Sequence, residues 1–156
     1  MKKRKGGFTI IELIVVMTII LILAGLISGA AMKAKQRAMI AKARAMISAM
    51  ETALGMYQAD VGNYPNSGIA TLYANLTSSA GLPTAAAQNW AGPYMNFQTN
   101  EVDSGGNILD PWSHAYHYTN PGSTTHSFQN YIEIYSNGAD GTDNSGTGDD
   151  VNNWMR

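Results

Sequence analysis

The run KGGFTIIELIVVMTIILILAG, residues 5–25, decides how the rest of the chain is read. From residue 8 to residue 32 the sequence is apolar with a single charge, Glu12. A helix rises about 1.5 Å per residue, so such a run spans about 37 Å and crosses a bilayer core of about 30 Å with some tilt. An acidic side chain at mid-bilayer costs about 2.5–3.5 kcal/mol, and less near the interface. Glu12 therefore asks for a partner. A secretory signal cut near Ser28 and Ala30 is a simpler reading, but signal cores of about 7–15 residues are shorter and carry no internal carboxylate. A plain one-span anchor leaves Glu12 unexplained.

Outward from this run, charge is segregated. The ten basic residues are Lys2, Lys3, Arg4, Lys5, Lys33, Lys35, Arg37, Lys42, Arg44 and Arg156, so residues 45–155 hold none. That stretch holds every acidic residue except Glu12, ten of the eleven. A head so acidic repels nucleic acid and attracts cations. The basic band at residues 33–44 and the acidic head are complementary, and the sequence suggests that they face each other between neighbouring copies. With no cysteine, neither disulfides nor thiolate metal sites are available.

Beyond the apolar run, larger apolar residues recur in steps of three and four: Met39/Ile40, Met46/Ile47, Met50, Leu54 and Tyr57, with Ala43 in the gap. One helix over residues 8 to about 59 follows, apolar all round at first and amphipathic later. Gly62, Pro65 and Gly68 end it. A short helix is expected over GIATLYANL, and strands over YMNF, HAYHYT and YIEIYS. The fold class is α+β: a long N-terminal helix packed by its second half against a small antiparallel sheet, with a C-terminal loop.

Catalysis finds no support: there is no nucleophile elbow and no phosphate-binding glycine loop. His114 and His117, with His126 further on, raise zinc, but residues three apart on a strand point to opposite faces. The tail SNGADGTDNSGTGDDVNNW clusters Asp140, Asp143, Asp149 and Asp150 among glycines. Composition leaves two readings open, a solvated acidic loop and a loop that holds a hard cation through oxygen ligands.

The opening run resembles the processing and methylation segment of the type IV pilin and pseudopilin superfamily. That resemblance implies that prepilin peptidase cuts between Gly7 and Phe8 and methylates the new amine, giving methylphenylalanine. Residues 1–7 are then a leader, 8–32 a transmembrane and assembly helix, and 33–156 an extracytoplasmic amphipathic helix with a small α+β head. Glu12 lies one helical turn after the freed amine and on its face. In a bundle of such helices an unpaired carboxylate is expensive, whereas one paired with a neighbour's amine is not. The family assigns this assembly role to the glutamate matching Glu12; it commonly has proline where Gly29 stands here.

YQADVGNYP, GPY, DPW, YHYTNPG and the tail are similar, in order, to motifs of the major pseudopilins of type II secretion systems. This second resemblance implies calcium in the tail, held by Asp140, Asp149 and Asp150 and by the backbone carbonyls of Asn137 and Thr142. Asp143 is a substitute or supplement, because the loop is longer here. It further implies structural roles for Pro111 and Trp112, Tyr116 and Tyr118, and for Trp154 as an anchor over the loop. The function implied is that of a structural, non-enzymatic subunit. It polymerises into a periplasmic pseudopilus with minor pseudopilins and an inner-membrane assembly platform, supports protein export, and makes no direct contact with nucleic acid. The location implied is the bacterial inner membrane, single-pass, with the head in the periplasm. The rivals are a type IV pilin of a surface fibre, for adhesion, DNA uptake or motility, and a monomeric membrane-anchored calcium- or glycan-binding protein.

Overall fold

The computed structural model describes residues 7–122 and 132–155, with the side chains of residues 26–28 and 30 outside that description. The chain divides into two units, Met1–Ala38 and Met39–Arg156. Helix α1 (Ile10–Val61) is 52 residues long. It stops where the Gly62 N–H closes the last turn onto the Gln58 carbonyl and Gly62 turns to φ 93°, a conformation open to glycine.

In the first unit the described large apolar side chains are all exposed, from Phe8 at 81% through Val16 at 45% to Met32 at 75%. A helix apolar on every side needs lipid or other apolar helices around it. Among the described residues no helix is long and apolar enough to cross a membrane. The unbroken run of described side chains stops at Gly25.

The second unit is built on the other stripe that the sequence predicts. Ala43, Ile47, Met50, Ala53, Leu54 and Tyr57 are buried on one side of α1, with Ile40 and Met46 at its margin. Helix α2 (Ile69–Thr77) covers part of it with Leu72 and Leu76. The sheet adds Tyr116, Tyr118, Ile132, Ile134 and Val151 to the same core. The Tyr118 hydroxyl donates to the Pro65 carbonyl at 2.9 Å, and the Gly68 N–H to the Tyr118 carbonyl at 3.0 Å, which ties the sheet to the start of α2. Trp112 packs against this core half-buried, in the turn that Pro111 begins.

Strands β1 (His117–Thr119), β2 (Glu133–Ser136) and β3 (Val151–Asn152) form an antiparallel sheet in that order. The first two lie inside the expected HAYHYT and YIEIYS, of which Tyr131 falls outside the described residues. YMNF is not a strand. The Tyr94 N–H donates to the Leu76 carbonyl at the end of α2, and Tyr94, Met95 and Phe97 pack on the core from an irregular segment. Its apolar residues meet the core without a strand beside them. Helix α3 (Thr84–Asn89) and a 3-10 turn (Thr99–Glu101) complete the connections.

Strand β3 comes from the polar tail, where Val151 is the one aliphatic residue larger than alanine. Next to it, buried Asn153 closes the sheet. Its Oδ1 accepts from the Ile134 N–H at 3.0 Å, its own N–H donates to the Ile134 carbonyl at 3.1 Å, and its Nδ2 donates to Glu51 Oε1 of α1 at 3.1 Å. One amide thus joins the C-terminal segment, the central strand and the helix.

Two substitutions test this core by thermal or urea unfolding. Leu54→Ala, at a fully buried position, is expected to cost about 2–5 kcal/mol. Met56→Ala, 53% exposed on the other side of the same helix, is expected to stay within about 0.5 kcal/mol.

Candidate functional site

Two places carry the candidate residues. The first is the start of α1. Glu12 Oε2 accepts the Thr9 N–H at 2.8 Å and the Thr9 hydroxyl at 2.7 Å, while the Thr9 hydroxyl oxygen accepts the Glu12 N–H at 3.3 Å. This reciprocal arrangement is a capping box, which satisfies backbone donors that the first turn of a helix leaves open. The structure therefore sets Glu12 against Thr9 within its own chain. This partner differs from the amine of Phe8 that the resemblance implies. The signal was present as Thr-Ile-Ile-Glu at residues 9–12, the Ser/Thr-x-x-Glu spacing of such boxes. Gly7 and Phe8 lie just ahead of it, both exposed; the rest of the expected leader lies outside the described residues.

The second place is the loop between β2 and β3. At its entry buried Ser136 donates its hydroxyl to Asp110 Oδ2 and accepts the Gly138 N–H at 3.1 Å. Asp110 is itself buried, and its Oδ1 takes the N–H groups of Trp112 at 2.9 Å and His114 at 2.8 Å. This fixed carboxylate holds both the Pro111–Trp112 turn and the start of the loop.

Beyond it the aspartates separate. Asp149 Oδ2 accepts the N–H groups of Ala139 at 2.8 Å and Asp140 at 3.1 Å, so Asp140 and Asp149 come together. Asp140 Oδ1 accepts the Thr142 N–H at 2.7 Å. Asp150 serves the other half of the loop, with Oδ2 accepting from Asn144 N at 3.1 Å and Gly146 N at 2.8 Å. Asp143 accepts the Ser145 N–H at 2.8 Å and the Tyr135 hydroxyl at 3.2 Å. The Thr142 carbonyl takes the Asn144 side-chain amide at 3.3 Å. Among the described residues no group of three or more His, Asp or Glu side chains is placed to hold a metal ion.

Two oxygens here are buried without a hydrogen-bond partner, Asp150 Oδ1 and Asn137 Oδ1. Burial raises the Asp150 carboxyl above its ordinary range. The N–H groups of Gly146 and Asn144 pull it back, and repulsion from Asp143 and Asp149 pushes it up further. Both orphan atoms are hard oxygen acceptors, the donor type that calcium takes.

Aromatic rings brace the loop. His117 stacks on Tyr135 with centroids 4.4 Å apart and planes 4° apart, and Trp154 meets Tyr135 edge-on at 5.9 Å. Burial first, then Asp143, push the Tyr135 hydroxyl up to about 12. Trp154 lies over Gly146, where an added Cβ would sit 2.0 Å from its ring. His114 instead lies against Gly141, with Nδ1 3.8 Å from Asp110 Oδ2. The two histidines thus have different neighbours, and His126 lies outside the described residues.

Comparison with known proteins places these features. The family model described as type II secretion system (T2SS), protein G, matches residues 30–154, and the prokaryotic N-terminal methylation motif matches residues 2–28. The type II secretion system core protein G of Aeromonas hydrophila is 35% identical over 98% of this chain and 94% of its own. The protein of the same name from Escherichia coli (strain K12) is 34% identical over 97% and 92%. Among solved structures, the major pseudopilin from the type 2 secretion system of enterohaemorrhagic Escherichia coli superposes with a TM-score of 0.50 at 28% identity. That match covers 80% of this chain and 94% of the other.

Two glycines give a matched pair of tests. Gly146→Ala forces a Cβ into Trp154 at a φ of 78° and is expected to destabilise by about 1–3 kcal/mol. Gly55→Ala, in α1 with nothing within 4 Å of the new Cβ, is expected to stabilise by about 0.5–1 kcal/mol. Thermal unfolding of both variants reads the opposite signs.

Proposed function

The chain belongs to the family of type II secretion system protein G, and on that premise we propose that it is the structural subunit of a pseudopilus that supports protein export. The observation that carries this reading is the bare apolar surface of the first unit, beginning at an acidic capping box, in a chain that aligns along nearly its whole length with core protein G relatives. Such a surface has one use in a fibre, which is to be buried against its own copies. Residues 8–32 hold the subunit in the inner membrane with the head in the periplasm until it is added. Prepilin peptidase removes residues 1–7 and leaves a cationic amine on Phe8. In the fibre, Glu12 exchanges its Thr9 partners for the amine of a neighbouring copy. That exchange favours one axial offset. Minor pseudopilins and an inner-membrane platform are the assembly partners.

The same reading gives the β2–β3 loop a calcium ion, held by Asp140, Asp149 and Asp150 with the carbonyls of Asn137 and Thr142. The donor chemistry supports it, because buried Asp150 Oδ1 accepts nothing, the carboxylates repel one another, and the Asn137 side chain brings a further unpartnered oxygen, Oδ1, to the same loop. The ion supplies positive charge to a crowded acidic loop. Asp143 is left out of this set, since both of its oxygens are engaged by the Tyr135 hydroxyl and Oδ1 also by the Ser145 N–H, whereas Asp140, Asp149 and Asp150 each accept backbone N–H groups through one oxygen.

The N-terminal residue of protein isolated from its native membrane tests processing. Methyl-Phe8 is expected, and a start near Ala31 would overturn the reading. Purified mature chain is expected to form fibres, and Glu12→Ala to lose them while the head still unfolds at its normal temperature.

Calcium is tested separately by thermal unfolding. At a hundredfold excess over its dissociation constant it is expected to add about 2.7 kcal/mol of stability. Asp149→Asn should abolish that gain and Asp143→Asn should keep it. No shift at millimolar calcium would remove the ion from the account.

A further inference from the structure

We propose that a groove between α1 and the C-terminal segment, marked by Arg44, receives an acidic side chain from a second copy of this chain, a contact that rests on the pseudopilus reading. Two neighbouring cavities, of about 380 and 240 Å³, share Arg44, Asn152 and Met155 among their lining residues. The larger adds Ile47 and Ser48 of α1, and the smaller reaches the loop backbone at Gly146 and Gly148. Met155 is 65% exposed at this groove, an apolar side chain beside a cation.

Charge selects the occupant. Residues 45–155 carry ten acidic and no basic residues, so two heads repel wherever they meet through these surfaces. Within the described part of the second unit the cations are Lys42 and Arg44. Lys42 is already committed, 3.8 Å from Glu101 Oε1 of the same chain.

Arg44 has no ion-pair partner among the described residues. Asp150 also lines the smaller cavity; its Oδ2 is held by the N–H groups of Asn144 and Gly146, and its Oδ1, which accepts no hydrogen bond, is the oxygen left for the proposed calcium ion. A guanidinium over an apolar wall is suited to a carboxylate, which it can grip with two parallel hydrogen bonds. A phosphate polymer would have to lie along a head with ten acidic and no basic residues over 45–155, which argues against nucleic acid as the occupant.

The receiving groove and the acidic patch that enters it are different surfaces of the same chain. A contact of that kind is heterologous: each copy added presents a fresh groove, so it propagates into an open helical filament and does not close as a dimer. The groove thereby adds a second point of selection to the helix contact.

The test uses full-length mature chain polymerised at low and high salt. Arg44→Glu is expected to lower fibre yield about tenfold at low salt, and by much less once salt screens the heads. Arg44→Lys should keep most of the yield. Because Arg44 is exposed, all variants should unfold as wild type. The chain lacks cysteine, so mixed populations of Arg44→Cys with Asp60→Cys, Asp103→Cys or Asp143→Cys report the geometry. A cross-link between unlike populations supports the groove, and a dominant link between two Arg44→Cys chains overturns it. Wild-type yield from Arg44→Glu at low salt also overturns it and leaves the pseudopilus reading intact. A wild-type chain that forms no fibre overturns both.

Discussion

The folded unit depends on burial of one stripe of α1. Ala43, Ile47, Met50, Leu54 and Tyr57 alternate in steps of four and three, so the stripe runs nearly straight along the helix. The other elements are held because they cover it. A sheet with strands of three, four and two residues is too small to stand alone. The small residue at position 43 lets Tyr116 come close enough for its hydroxyl to reach the Ala43 carbonyl at 3.4 Å. The β2–β3 loop hangs from this sheet, pinned at Ser136 and at Asn153, and so inherits its position from the helix.

What could be read from the sequence follows from which forces act locally. The stripe, α2, β1 and β2 are written in periodicity, and periodicity reports burial. YMNF differs from its expected strand because its half-buried apolar residues meet α1 and α2, through Tyr57 and Tyr73, and not a neighbouring strand, and pattern alone cannot tell these apart. Strand β3 was missed because Asn152 and Asn153 join the sheet through their amides and backbone, with Val151 alone in the core. The Thr9–Glu12 box is written plainly in the Thr-x-x-Glu spacing, and a partner three residues away answers part of the cost of a carboxylate in an apolar run. Lys42 and Arg44 look alike in a charge count. Only the fold shows that Glu101 has taken one of them.

In the loop the fold settles how four aspartates coexist within a short stretch. Each is assigned its own backbone N–H groups: Asp149 those of Ala139 and Asp140, Asp140 that of Thr142, Asp143 that of Ser145, Asp150 those of Asn144 and Gly146. The glycines make this possible. At Gly138 a Cβ would lie 2.3 Å from the Asp149 carbonyl oxygen, so the two arms of the loop approach only because none is there. Backbone amides can neutralise a carboxylate only in part, and Asp150 shows the remainder in its raised proton affinity. A divalent ion would compete with these amides for the same oxygens, so its gain is the difference between the two sets of contacts, and not the whole of its attraction to the acids.

The same accounting applies to Glu12. A carboxylate satisfied by Thr9 is not an isolated charge waiting for rescue, and a subunit can be held in the membrane without a partner for it. In the proposed fibre the change is from neutral donors to a cationic one, but the bonds are charge-assisted in both states because the carboxylate is ionised, so the gain is a difference between two satisfied arrangements. The preference for correct register is therefore modest for each subunit. Such a preference leaves the acidic heads to be reconciled separately. Helix contacts cannot do that, because the repulsion arises in residues 45–155, where the chain places no cation of its own. A polymer of such heads needs its positive charge from outside that stretch, and among the described residues Arg44 is the last cation before it begins.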